Sequence, residues 1–182
     1  MNNKQRILIG LVAAAALVGG FLIAQLLHKP ALAPPDQAAA MPTQMVAFTL
    51  PDVYDKPHSI NQWRGKLILL NFWATWCPPC REEIPLFIDM QEKYGGKGLQ
   101  IIGVAIDKKQ DVENYADFSL INYPVLVGQE EAMVIMKQYG NRLGTLPYTV
   151  VIDPQGRVLN RKVGAYKRLE LETLLGGLLT GS

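Results

Sequence analysis

Two cysteines separated by two residues, Cys77 and Cys80, are the side chains in this sequence best suited to chemistry. They are the only cysteines among 182 residues, and they follow an apolar run at residues 67–73. Such a run is typical of a buried strand, and the residues after Cys80 begin a helical pattern. Cys-x-x-Cys between a strand and a helix is a spacing that α/β proteins use for dithiol–disulfide chemistry. The sequence therefore predicts a redox-active cysteine pair at the start of a helix.

The start of a helix favours the ionised form of a cysteine placed there. Its first N–H groups lack partners within the helix, and the helix dipole is positive at this end. Because the thiolate is the form that attacks a disulfide, we predict that Cys77 is the nucleophile and that Cys80 resolves the mixed disulfide. Cβ atoms three residues apart on a regular helix are about 5–6 Å apart, whereas a disulfide needs about 3.8 Å. We therefore expect a local adjustment of the backbone at the helix start.

The same pair also allows a structural interpretation, as two buried thiols or an inert disulfide. A bridge that closes so short a loop constrains little chain entropy, which argues against a structural role. Composition disfavours other classes of function. A zinc site needs about four ligands, and the two histidines, His28 and His58, lie far from the cysteines in sequence. The net charge of +2 offers no basic patch for nucleic acid. We predict no metal, no cofactor and no nucleic-acid partner.

Residues 72–80 read Phe-Trp-Ala-Thr-Trp-Cys-Pro-Pro-Cys, which resembles the active site of the thioredoxin superfamily. Within that superfamily, Asn71, Glu83 and an extra helical stretch in mid-chain resemble the TlpA/ResA-like branch of membrane-anchored thiol:disulfide oxidoreductases. Asn71 stands where cytosolic thioredoxins have a buried aspartate. The branch includes reductases of cytochrome c maturation. The resemblance extends from residue 47 to the C-terminus.

The resemblance implies a set of substrate-binding residues around the cysteines. Trp76 precedes the nucleophile and is expected at the rim, and Pro78 belongs to the active-site turn. Pro147 is expected to have a cis peptide bond and to pack beside the cysteine pair. The backbone of Leu146 is then expected to pair with the substrate chain. Thioredoxins commonly have threonine before this proline, so Leu146 is a difference expected to affect recognition or redox potential.

Glu83 lies one turn beyond Cys80 on the same face of the predicted helix. A partly buried carboxyl group there would have a raised pKa and would exchange a proton with Cys80 during the redox cycle. The alternative is a solvent-facing glutamate, as we expect Glu82 to be. For Asn71, the simplest expectation is that its amide satisfies nearby backbone groups. We predict Cys77, Cys80 and Glu83 as the catalytic residues.

The order of elements predicts an α/β protein with a thioredoxin fold, in which a mixed central sheet carries helices on both faces. We also expect an N-terminal hairpin and a mid-chain insertion. His58 is expected to be a solvated histidine in a turn of that hairpin. Strands are predicted at 46–50, 66–73, 99–106, 123–127, 148–152 and 158–163. Helices are predicted at 77–94, 110–118, 130–139 and 167–179.

Residues 7–27 are almost entirely apolar. As a helix they would span roughly 30 Å, the thickness of a hydrocarbon core. We predict a membrane anchor at 1–29, an Ala/Pro-rich linker at 30–45 and a thioredoxin-like domain at 46–182. A cleaved signal remains the alternative, because Ala31-Leu32-Ala33 resembles a cleavage site. The charges before the run favour a single pass through a bacterial inner membrane. The domain would then face the periplasm or cell exterior, where disulfides persist.

These features together predict an extracytoplasmic thiol:disulfide oxidoreductase that reduces protein disulfides, for example in cytochrome c maturation. The expected partners are disulfide-containing protein substrates and a dithiol electron donor in the membrane. The direction rests on the resemblance, so a disulfide-oxidising enzyme of the same fold is an alternative, and a non-catalytic binding module is a further one. A peroxiredoxin would need threonine three residues before its cysteine, whereas Thr75 is two before Cys77. A copper-delivery protein would need Cys-x-x-x-Cys and a later histidine, and no histidine follows His58.

Overall fold

The structure is a computed structural model, and it describes Asn2 and residues 41–180. Apart from Asn2, the anchor predicted at 1–29 lies outside the described residues, as do residues 30–40 of the predicted linker. The contacts divide the chain into two units, and the fold belongs to the second, Met41–Ser182. In the part of the chain that is described, no helix is long and apolar enough to cross a membrane.

The described chain alternates strands and helices and closes with a hairpin and a helix. The strands are β1 (Thr49–Pro51), β2 (Pro57–Ser59), β3 (Leu67–Trp73), β4 (Leu99–Ala105), β5 (Val125–Val127), β6 (Tyr148–Ile152) and β7 (Val158–Val163). The α-helices are α1 (Pro78–Tyr94), α2 (Lys109–Phe118), α3 (Glu130–Gln138) and α4 (Arg168–Thr180). Short 3₁₀ turns occupy Ile60–Trp63 and Gly95–Lys97.

Five strands form the central sheet in the order β5-β4-β3-β6-β7. Strand β3 runs parallel to β4 and antiparallel to β6, and β7 pairs antiparallel with β6. The sheet is therefore mixed, as predicted. Strands β1 and β2 form the separate N-terminal hairpin that was also predicted. The insertion adds α2 and β5, which extends the sheet at one edge.

Side chains alternate between the two faces of β3 because successive residues of a strand point in opposite directions. Leu69 and Trp73 pack with α1 and α4 on one face, whereas Leu70 and Phe72 pack with α3 on the other. Both faces carry a buried core, which explains why every residue of β3 is buried. The predicted helical layers on both faces are confirmed, and the two cysteines belong to the core that contains α1.

Two local predictions for the hairpin region are wrong. The strand predicted at 46–50 begins only at Thr49, because the hydroxyl of Tyr139 bonds both the N–H and the C=O of Val46. His58 is not a solvated turn residue. It lies in β2, its ring nitrogens contact Asp52 and Gln62 at 2.8 Å each, and its side chain is 16% exposed. The hairpin brings these partners together.

Candidate active site

The cysteine pair lies at the junction predicted for it. Cys77 is the N-cap of α1, with an extended backbone (φ −93°, ψ 105°), and Pro78 and Pro79 begin the helix. Proline is well suited to the first turn because the N–H groups there have no helical partners. Cys77 and Cys80 form a disulfide with an S–S distance of 2.05 Å and a Cα–Cα distance of 5.3 Å. The extended backbone of Cys77, outside the regular helix, is the local adjustment that we expected at the helix start.

The two cysteines differ in their access to solvent. Cys77 is 4% exposed and Cys80 is 0% exposed, so the predicted nucleophile is the more accessible of the two. Trp76, the preceding residue, is 65% exposed, whereas Trp73 is a core residue at 1%. A groove of about 470 Å³ runs beside Trp76 and is also lined by Ile106, Asp107, Lys108, Gln129, Glu130 and Met133. Trp76 therefore lies at the rim, as predicted, and borders a surface that a substrate can reach.

A polar contact from the end of β4 fixes the turn before the cysteines. One carboxylate oxygen of Asp107, Oδ2, accepts the backbone N–H of Thr75 at 3.0 Å and its hydroxyl at 2.6 Å. The other oxygen accepts the N–H of Lys108. Hydrogen bonds to an ionised acceptor are the stronger kind. Asp107 therefore holds the segment that leads into Trp76 and Cys77, and sequence reasoning did not identify it.

Glu83 is buried behind the cysteine pair, with 2% of its surface exposed. Its Oε1 accepts the Asn71 amide at 2.9 Å, and its Oε2 accepts the backbone N–H of Tyr166 at 3.0 Å. Burial raises the pKa of Glu83 to about 7, while these two hydrogen bonds and the charge of Lys162 oppose the increase. Glu83 is therefore the buried acid that its position predicted.

Asn71 bonds side chains rather than the backbone groups expected from the sequence. Its amide also donates to the Thr149 hydroxyl at 3.0 Å, and Thr149 is the residue paired with Asn71 between β3 and β6. Sequence reasoning identified neither Thr149 nor Tyr166. Thr149 is 78 residues from Asn71, and Tyr166 is 83 residues from Glu83, so no local pattern indicated these contacts. Its buried hydroxyl has no hydrogen-bond partner among the described residues.

The segment before β6, which contains Leu146 and Pro147, has the backbone that the resemblance implies. The Leu146–Pro147 peptide bond is cis. Tyr148 pairs with Phe72, so the sheet register places Pro147 at the end of β3 that leads to the cysteines. The C=O of Pro147 accepts the N–H of Gly164 at 2.8 Å. Leu146 is partly buried against both hydrophobic cores.

No group of three or more His, Cys, Asp or Glu side chains that could hold a metal ion occurs among the described residues. The groups at this site that can exchange electrons or protons are the cysteine pair and Glu83. A mixed sheet between helices, with Cys-x-x-Cys at a helix start and a cis-proline before the neighbouring strand, defines a dithiol–disulfide protein of the thioredoxin fold.

Comparison with known proteins agrees with this class. Residues 41–161 match the AhpC/TSA family. The thiol-disulfide oxidoreductase ResA of Geobacillus thermodenitrificans (strain NG80-2) is 32% identical over 122 residues, which are 66% of this chain and 68% of that protein. The chain belongs to the AhpC/TSA family and, within it, to the ResA-like thiol-disulfide oxidoreductases.

Two solved structures from Chlorobium tepidum are also similar. One is a thiol:disulfide interchange protein of the thioredoxin family, with 32% identity, a TM-score of 0.68 and coverage of 78% of this chain and 99% of that chain. The other is a putative thiol:disulfide interchange protein DsbE, with 27% identity, a TM-score of 0.69 and coverage of 77% and 99%. Each match covers nearly the whole chain of the solved structure, so the similarity concerns the entire domain.

Proposed function

We propose that this protein reduces disulfide bonds in other proteins outside the cytoplasm, with Cys77 as the nucleophile, Cys80 as the resolving thiol and Glu83 as the proton acceptor. The observation that carries the proposal is the buried carboxyl group of Glu83, one turn beyond a fully buried Cys80. A thiol with no access to water needs a nearby base in order to ionise. A carboxyl group with a pKa of about 7 is suited to that task at neutral pH.

The reaction then proceeds in two exchanges. The Cys77 thiolate attacks one sulfur of the substrate disulfide, which forms a mixed disulfide and releases the other substrate sulfur as a thiolate that takes a proton from water. Cys80 gives its proton to Glu83 and attacks the Cys77 sulfur. This step releases the second substrate thiolate and leaves the Cys77–Cys80 disulfide. Two electrons have passed from the protein to its substrate, and Glu83 later returns its proton to water.

The substrate contacts follow from the groups around the pair. Trp76 and Pro78 flank the nucleophile, and Leu146 and Pro147 precede the strand beside it. The structure shows no hydrogen bond to the backbone N–H or C=O of Leu146 from any residue it describes. A substrate chain in extended conformation can pair with these two groups, which is the backbone pairing that extended peptides commonly use.

The direction and location of the reaction are the remaining parts of the proposal. Resemblance to the TlpA/ResA-like branch supports reduction, with electrons supplied by a dithiol donor in the membrane and with apocytochrome c as a candidate substrate. The apolar run at 7–27 supports a single membrane anchor in a bacterial inner membrane. A reduction potential well below that of the glutathione couple is expected for a reductase, and a potential above it would indicate the disulfide-oxidising alternative.

Trapping of mixed disulfides tests the chemical roles. In Cys80→Ser the resolving step is blocked, so partner proteins are expected to accumulate as conjugates with Cys77 that disappear on addition of dithiothreitol. Non-reducing gels of cells that express the variant detect them. The double variant Cys77→Ser/Cys80→Ser is the matched control and is expected to trap nothing. Conjugates of similar abundance in Cys77→Ser alone would assign the nucleophile to Cys80 and overturn the proposal.

A further inference from the structure

The loop between α3 and the cis-proline is held by one buried side chain, Asn141, which is 5% exposed. Its Nδ2 donates to the C=O of Thr145 at 2.7 Å, and its Oδ1 accepts the N–H of Thr145 at 3.3 Å. One amide therefore occupies both backbone polar groups of a single residue, as a neighbouring strand would. Thr145 directly precedes Leu146, the residue whose backbone has no partner among the described residues.

Asn141 is itself fixed at the end of α3. Its N–H donates to the C=O of Met136 at 3.2 Å, and its Nδ2 also contacts the Met136 sulfur at 3.3 Å. The side chain of Met136 is fully buried in the core on that face of the sheet. We call the two hydrogen bonds between the Asn141 amide and Thr145 the clamp. The clamp thus connects a buried core position, Met136, to the loop that carries Leu146 and Pro147.

Without this clamp, the backbone of the loop would have more than one accessible conformation. Gly140 and Gly144 both have positive φ angles, of 107° and 73°, a conformation that glycine adopts without steric penalty. Leu143 is 92% exposed, so its side chain contributes little packing to the loop. The loop also forms one wall of a groove of about 390 Å³ that Leu143 and Val163 line. The conformation of the loop therefore determines where the backbone N–H and C=O of Leu146 lie and what shape the neighbouring apolar surface has.

We infer that Asn141 is a positioning residue for protein substrates: its amide holds Thr145 so that the N–H and C=O of Leu146 are presented to an extended substrate chain. The inference rests on the proposed reduction of protein disulfides and adds a residue that acts on substrate binding rather than on thiol chemistry. A small disulfide that makes no backbone pairing does not need the clamp. The clamp therefore favours polypeptide disulfides over small ones.

The test compares two substrates with reduced full-length protein: insulin, whose disulfides are in polypeptide chains, and 5,5′-dithiobis(2-nitrobenzoate), which is a small aromatic disulfide. Asn141→Ala is expected to lower kcat/KM for insulin by about tenfold, mainly through KM, because both hydrogen bonds to Thr145 are lost. The rate with the small disulfide and the reduction potential of the cysteine pair are expected to stay at the wild-type values. Asn141→Asp has the same shape but places a carboxylate against the Thr145 C=O. It is expected to show the same loss with insulin alone as Asn141→Ala, and it serves as a second variant in case the alanine variant misfolds.

Tyr139→Phe is the matched control. It also removes two hydrogen bonds, both to the backbone of Val46, but does not touch the clamp. It is expected to leave the ratio of the two rates unchanged. Equal losses on both substrates in the Asn141 variants, or the same selective loss in Tyr139→Phe, would overturn the inference and leave the proposed function standing. Failure of the wild-type protein to reduce insulin would instead remove the proposed function, and this inference with it.

Discussion

Glu83 connects the redox site to the stability of the whole fold. Its pKa is raised to about 7 from an ordinary value of 4.5, with burial as the main cause. The unfolded chain therefore releases this proton at lower pH than the folded protein does. Between these two values the folded state binds more protons, so the contribution of Glu83 to stability is greatest below about pH 4.5 and is lost as the pH rises through about 7. The decrease for this one group is about 3 kcal/mol.

Replacing this carboxyl group by an amide is expected to remove that pH dependence. Glu83→Gln keeps the shape of the side chain and cannot ionise, and the Asn71 amide can rotate to present its oxygen to the new NH₂ group. Between pH 5 and pH 8 the oxidised wild-type protein is expected to lose roughly 2–3 kcal/mol of unfolding free energy relative to the variant. Urea unfolding at both pH values measures this difference.

Glu82→Gln provides the matched control for this measurement. Glu82 is the preceding residue of the same helix and is exposed, so its substitution is expected to leave the wild-type pH dependence intact. Parallel pH profiles for Glu83→Gln and the wild-type protein would show that the Glu83 carboxyl group ionises as in the unfolded chain. Its assignment as the proton acceptor for Cys80 at neutral pH would then lose its basis.

The active-site turn depends on the segment that follows strand β4 as well as on the helix that it precedes. Residues 74–77 connect β3 to α1, and the carboxylate of Asp107, two residues after β4, bonds Thr75 twice. The two strands run in parallel, with Trp73 paired with Ala105. Their carboxyl ends therefore meet at the same edge of the sheet. This arrangement lets one acidic side chain fix the approach to Cys77.

Removing the Thr75 hydroxyl is expected to weaken this connection. Thr75→Val keeps the branched shape but loses the 2.6 Å hydrogen bond to Asp107. The expected loss is about 1–2 kcal/mol of unfolding free energy, together with slower insulin reduction because the segment before Cys77 is less firmly held. Urea unfolding and the insulin assay measure the two effects. Thr75→Ser retains the hydroxyl and is expected to stay near wild type, whereas equal losses in both variants would assign the effect to packing of the methyl group.

The elements predicted correctly from the sequence are those with a local signal. Continuous apolar runs identified β3 and β4, and the start of α1 was predicted within one residue. The start of β1 was misplaced because the partner of Val46 is a hydroxyl 93 residues away. The burial of Glu83 depends in the same way on Tyr166. Local patterns thus placed the reacting sulfurs, while the groups that surround the carboxyl group required the tertiary structure.

The second unit contains both hydrophobic cores of the described chain. Among the described residues, the members of these cores lie between Met45 and Leu179, and all five strands of the central sheet lie in the same range. The insertion is part of this construction, since β5 pairs with β4 and α2 contributes Val112 to the core that holds the cysteines. We therefore expect folding and thiol chemistry to be independent of residues 1–40, which include the anchor proposed at 1–29 and the first part of the proposed linker at 30–45.

Deleting residues 1–40 is expected to separate attachment from catalysis. The shortened protein keeps every core residue that the structure describes, so its urea midpoint and its rate of insulin reduction should match those of the full-length chain in detergent. In cells, the full-length chain should sediment with membranes and resist extraction with carbonate, because its apolar run can span the hydrocarbon core. The shortened chain should stay in the supernatant. Recovery of the uncleaved full-length chain in the soluble fraction would contradict the anchor, whereas a lower urea midpoint after deletion would show that residues 1–40 contribute to the folded domain.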